Sequence, residues 1–152
     1  MRGAPESIKT AMMFGGFYPN PGAASVAQVS HFTAFMAEFI GTFALVFLIF
    51  SFTDGANLGK PHEGMVPFFI GLTVTIIICV IAPLTQAGLN PARDLSPRLF
   101  SWLAGWGQAA FPDTHYGFLT VYVLAPLLAG IAAALSFKKL VRPLLRAGEI
   151  GD

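Results

Sequence analysis

Residues 89–106 read LNPARDLSPRLFSWLAGW, and this stretch decides the fold. Asn90 is a good N-cap, Pro91 fits the first helical position, and Gly105 can end a helix. Leu95, Leu99, Phe100, Trp102 and Leu103 give the segment an apolar face at helical spacing. It is too short to cross a bilayer, which takes roughly 20 apolar residues, and it carries Arg93, Asp94 and Arg98. Lying between two long apolar runs, it reads as a re-entrant half-helix over about 90–104. Such backbone persists at membrane depth only where it is buried in protein or lines a wet cavity.

Outward from that segment, three runs are long and apolar enough to span: about 32–52, 65–84 and 117–137. Glu38 is the one charge inside them. The composition agrees, with 55% hydrophobic and 11% charged residues and a mean hydropathy of +0.66. Soluble domains run near a quarter charged, so this chain lacks the polar surface for a water-facing globule. The predicted class is an all-α membrane protein of three transmembrane helices and one re-entrant half-helix. Residues 1–31 read as an extracellular loop, with Phe14, Phe17 and Tyr18 at the headgroups. No secretory signal peptide is visible in it. Residues 32–140 form the membrane module. Residues 141–152 form a cytoplasmic tail, because Lys138, Lys139, Arg142 and Arg146 crowd that end, although Arg2 and Lys9 oppose the bias. Gly41, Gly71 and Gly130 are small enough for close helix contacts.

Several classes are excluded. A net charge of +1 without a basic run predicts no nucleic-acid partner. Cys79 stands alone, so no internal disulfide and no CxxC-type metal site is expected. His31, His62 and His115 lack ligand-like spacing. No nucleophile–base pair, phosphate loop or paired-carboxylate site appears, so neither enzyme chemistry nor a cofactor is predicted.

Asn90-Pro91-Ala92-Arg93 resembles the second signature box of the aquaporin family. Asp94, Pro97-Arg98 and Ala104-Gly105-Trp106-Gly107 resemble its aquaglyceroporin version. Ala37-Glu38-Phe39-Ile40-Gly41-Thr42 and Pro83-Leu84-Thr85 extend the likeness, which covers about 14–140. The resemblance implies a fold of two inverted repeats, six spans and two half-helices, of which this chain supplies the second repeat. The partner box is expected to be missing, as no stretch before Phe32 holds three more spans.

The half-helix N-terminus carries partial positive charge. The Asn90 amide is expected to donate to a passing water or polyol hydroxyl. The carbonyls of Gln86, Ala87, Gly88 and Leu89 supply acceptors, and Arg93 supplies fixed donors while its charge repels cations and protons. Alignment to the family motif puts Ile78 and Ala87 beside Arg93 at the constriction, although Ile78 also fits plain helix packing. Asp94 is either a partner that holds the half-helix or shapes the lumen, or simply an acidic residue in a first helical turn. Glu38 is either a proton or ion ligand or, preferably, an acceptor that orders the lead-in to the half-helix.

The expected activity is passive passage of glycerol, other small polyols and water across the plasma or inner membrane. Its expected partners are the lipid bilayer and either a first-half chain or a copy of itself that closes the pore. The alternative is a non-conducting fragment. A coupled transporter is disfavoured by so few intramembrane ionisable groups.

Overall fold

The helices follow directly from where the apolar runs begin and end. A computed structural model describes residues 7–22, 29–111 and 116–149, and every regular element among them is helical. Arg2, His115, and residues 150–152 of the expected tail lie outside the described residues.

After a short α1 (Ser7–Ala11), α2 (His31–Thr53) opens where Ser30 Oγ accepts from Thr33 N at 3.1 Å, the usual N-cap bond. It stops at Asp54, whose backbone turns extended. A tight turn, Glu63–Met65, leads into α3 (Val66–Thr85), which ends at Gln86 in the left-handed region. The short α4 (Pro91–Ser101) continues through a wider turn, Trp102–Trp106, in which Gly105 breaks out of helical geometry at φ 103°. Only a residue without Cβ takes that angle cheaply. The last helix, α5 (Gly117–Ala147), is 31 residues long, about 46 Å at 1.5 Å per residue. It therefore runs on past the expected 117–137 span. Its two wider turns, Thr120–Leu124 and Phe137–Val141, contain Tyr122 and Lys139, each four residues before a proline (Pro126, Pro143). A proline ring excludes the ordinary helical bond to the carbonyl four residues back, and the wider turn accommodates that loss.

Three helical segments, His31–Thr53, Glu63–Thr85 and Gly117–Ala147, are long and apolar enough to cross a membrane. They pack through small residues, as membrane helices do when no hydrophobic effect drives them together. Ala125, Ala129 and Ala133 make a fully buried ridge on α5. On α3, Thr73, Ile77, Ile81 and Thr85 repeat every four residues along the inner face. Gly41 lets α2 approach that face: a Cβ there would lie 2.4 Å from Ile81 and 2.9 Å from Leu89. Gly71 and Gly130, expected to act likewise, have open space where a Cβ would go. Phe68, Leu72, Ile76 and Val80 form an exposed apolar stripe on the outer side of α3.

The segment before α2 departs from expectation. Phe17 is buried within the protein rather than facing headgroups, because it lies beneath a guanidinium, Arg98 Cζ being 5.0 Å from its ring centroid. Asn20 ties the same segment to the end of α3, its backbone N–H donating to Leu84 O at 3.2 Å and its Nδ2 to Ala82 O at 2.7 Å.

Candidate functional site

The candidate site is built where α3 breaks and α4 begins. Three of the four lead-in residues, Gln86, Ala87 and Leu89, have left-handed φ values of 65°, 53° and 57° without being glycine. Each costs roughly 1–2 kcal/mol relative to ordinary backbone. Glu38, fully buried on α2, offsets that cost. Its Oε1 accepts from Thr85 Oγ1 at 2.6 Å and from Gly88 N at 2.8 Å, and its Oε2 accepts from Leu89 N at 2.6 Å. A net hydrogen bond contributes about 0.5–1.5 kcal/mol, so three of them on one buried carboxyl are of the same order as the strain. Tyr122 supports the turn from α5, donating its hydroxyl to Thr85 O at 2.9 Å. Its ring also leaves no room for a Cβ at Gly88, which would meet it at 2.7 Å.

This bracing determines what the lead-in can present. The Leu89 carbonyl accepts from Thr42 Oγ1 at 3.2 Å inside the core, so one of its two lone pairs is taken by the fold. Gly88 O accepts from Asn90 N at 2.7 Å, and Ala87 O accepts from Arg93 Nη1 at 3.1 Å. Ala87 itself is only 2% exposed, packed with Ile77, Ile81 and Leu89. Its side chain is turned into that cluster and does not line the cleft beside Arg93. Ile78, in contrast, is 39% exposed on α3.

Asn90 and Arg93 share the open side of α4. Asn90 caps the helix, its Oδ1 accepting from Ala92 N at 2.9 Å. Among the described residues its Nδ2 has no partner. Pro91 at the first position withholds no needed donor, and Ala92 keeps the approach open. Arg93 is exposed, with Nη1 reaching back to the lead-in carbonyls and its other N–H groups unclaimed among the described residues.

Asp94 lies on the buried side of α4, where it holds the helix and does not line the cleft beside Arg93. It is 0% exposed and grips Arg98, which is 2% exposed, in a two-pronged pair: Nε to Oδ2 at 2.9 Å and Nη2 to Oδ1 at 2.8 Å. Asp94 Oδ1 also accepts from Gly16 N at 2.6 Å. Arg98 donates further to the carbonyls of Gly16 and Ala110. A buried charge is tolerable only when so completely paired. Sequence reasoning missed this role of Arg98, although the four-residue spacing from Asp94 is the one at which helical side chains meet.

Gln86 also points elsewhere than expected. Its Oε1 accepts from Phe17 N at 2.8 Å and its Nε2 donates to Met12 O at 3.3 Å. The N-terminal segment thereby borders a cleft of about 240 Å³, lined by Gln86, Arg93 and Pro97 and by Met12, Met13 and Phe14 of that segment.

Residues 8–137 match a family model described as Major intrinsic protein. The chain is 36% identical over 142 residues to the glycerol uptake facilitator protein of Escherichia coli (strain K12), covering 93% of itself and 48% of that relative. It is 34% identical over 142 residues to the propanediol uptake facilitator PduF of Citrobacter freundii, covering 93% of itself and 50% of that protein. The chain thus spans about half the length of the curated relatives it matches. Among solved structures it resembles the aquaglyceroporin from Plasmodium falciparum, with a TM-score of 0.74 at 23% identity, covering 93% of this chain and 59% of that one.

Proposed function

This chain belongs to the major intrinsic protein family, and on that premise we propose that it forms one half of a passive channel for glycerol, small polyols and water. The carrying observation is the open side of α4. There the Asn90 Nδ2 and most of the Arg93 N–H groups are exposed and without a partner among the described residues, beside a helix N-terminus. Donors fixed at one point suit a file of hydroxyl groups. The positive charge of Arg93, added to the helix dipole, raises the barrier for cations and protons. Glu38 acts as a positioning residue that keeps the lead-in in its strained form, and no reaction is catalysed.

That open side cannot face lipid. An exposed arginine at membrane depth costs at least ~2.5 kcal/mol, and unpaired backbone adds more. A complementary repeat therefore closes the lumen, supplied by another segment or by an inverted copy of this chain. In this arrangement α4 dips into the bilayer from the outer side and the basic end of α5 lies in the cytoplasm of a plasma- or inner-membrane protein.

Stopped-flow light scattering on liposomes tests the proposal, with this chain reconstituted alone and together with the first repeat of a glycerol uptake facilitator. Glycerol and water permeability should exceed that of empty liposomes in at least one preparation. Permeability equal to empty liposomes in both, with insertion verified, rejects it and leaves a non-conducting piece.

A further inference from the structure

Ala87 is turned into the core, so the side chains that face Arg93 across the cleft come from elsewhere. The N-terminal segment supplies them, and it is held by five hydrogen bonds and a ring contact. Besides the two Gln86 bonds, Gly16 is gripped through both its N–H and its carbonyl by Asp94 and Arg98. Trp106 Nε1 donates to Thr10 Oγ1 at 2.8 Å, and the Phe14 ring packs 5.2 Å from the Trp106 ring. Gly15 fits because a Cβ there would lie 2.8 Å from the Arg98 guanidinium. The result is a fixed backbone that carries Met12, Met13 and Phe14 over the cleft.

We propose that Met12 and Met13 are the specificity wall of this channel half, and that Gln86 is the positioning residue that holds them opposite Arg93. The inference rests on the lumen reading above and names the side chains that select the solute. A polyol has a hydroxyl edge and a C–H edge. Arg93 and Asn90 meet the hydroxyls, and thioethers meet the carbons: methionine is unbranched, polarizable and able to conform to irregular shapes. Water has no C–H edge and gains nothing from that wall. Ile78, on α3 rather than in this cleft, is a separate apolar surface.

The test uses the full chain in proteoliposomes, with Met12→Cys introduced in a Cys79→Ser background and a charged methanethiosulfonate as the probe. Glycerol at about four times its dissociation constant should slow modification about fivefold by mass action, while raffinose, too bulky for the cleft, leaves it unchanged. Adding Gln86→Ala should abolish the protection. Gln86→Glu, which keeps the acceptor toward Phe17 N but loses the donor toward Met12 O, should restore part of it. The same Gln86→Ala change should raise the ratio of water to glycerol permeability in a conducting preparation, whereas simple loss of folded protein lowers both together. No glycerol protection in a preparation that conducts overturns the wall and leaves the channel standing. Protection in a preparation that does not conduct upholds the wall and counts against the channel. Neither protection nor conduction overturns both.

Discussion

Two arginines five residues apart on α4 have opposite fates. Arg98 is buried, and its three nitrogens donate to Asp94, Gly16 and Ala110. Arg93 is exposed and reaches only two carbonyls of the lead-in, the second at 3.5 Å. In sequence only Arg93 stands out as a functional charge, because it belongs to the Asn90-Pro91-Ala92-Arg93 string. The structure separates them by saturation. A guanidinium whose three nitrogens are all claimed by the fold holds that fold together, while the one with N–H groups to spare among the described residues is the one proposed to meet a solute.

That contrast can be broken or sharpened by substitution. The largest effect is expected at Arg98. Arg98→Ala leaves Asp94 buried without its cation, which should cost about 3–5 kcal/mol and appear as a collapse of thermal stability in detergent. Next comes Glu38→Gln, which puts an amide donor where one of three N–H or O–H groups now donates. A loss of about 2–3 kcal/mol is expected in the same assay, with faster proteolysis or hydrogen exchange at residues 86–89 as its local signature. Thr42→Val removes only the bond to Leu89 O and should cost about 1 kcal/mol. Arg93→Ala should shift stability by no more than about 1 kcal/mol, since it removes one ordinary and one long hydrogen bond on an exposed side chain. Should Arg93→Ala destabilise as much as Arg98→Ala, the division between the two arginines fails. The smallest effect belongs to Arg142, whose 3.2 Å pair with Asp54 is partly solvated. Arg142→Gln should cost under about 1 kcal/mol and vanish in high salt.

The architecture was legible because it depends on local signals. Apolar runs bounded by polar residues mark α2, α3 and α5. The Asn90-Pro91 start and the Gly105 stop mark α4, and the structure puts Gly105 at a φ that glycine tolerates best. Much of the site was not legible, for two physical reasons. First, side-chain direction follows from spacing only where the backbone is regular. Across Gln86, Ala87 and Leu89 the left-handed angles void that rule, so Ala87 turns inward and Gln86 turns toward Met12. Second, the docking of residues 10–20 depends on contacts made some 60 to 100 positions away in the chain, such as Gly16 with Asp94 and Thr10 with Trp106. Periodicity carries no information about those. The Asp94–Arg98 spacing was visible, but nothing in the sequence told which side of α4 would be covered.

Glycerol flux and ion leak measured on the same conducting proteoliposomes, for the unaltered chain and for Arg93→Ala, test the central claim most directly. The account predicts that Arg93→Ala stays folded and still passes glycerol, while selectivity loosens and cation or proton leak rises well above the unaltered chain. A variant that is folded and indistinguishable from the unaltered chain in both fluxes would contradict the assignment of Arg93 to the lumen.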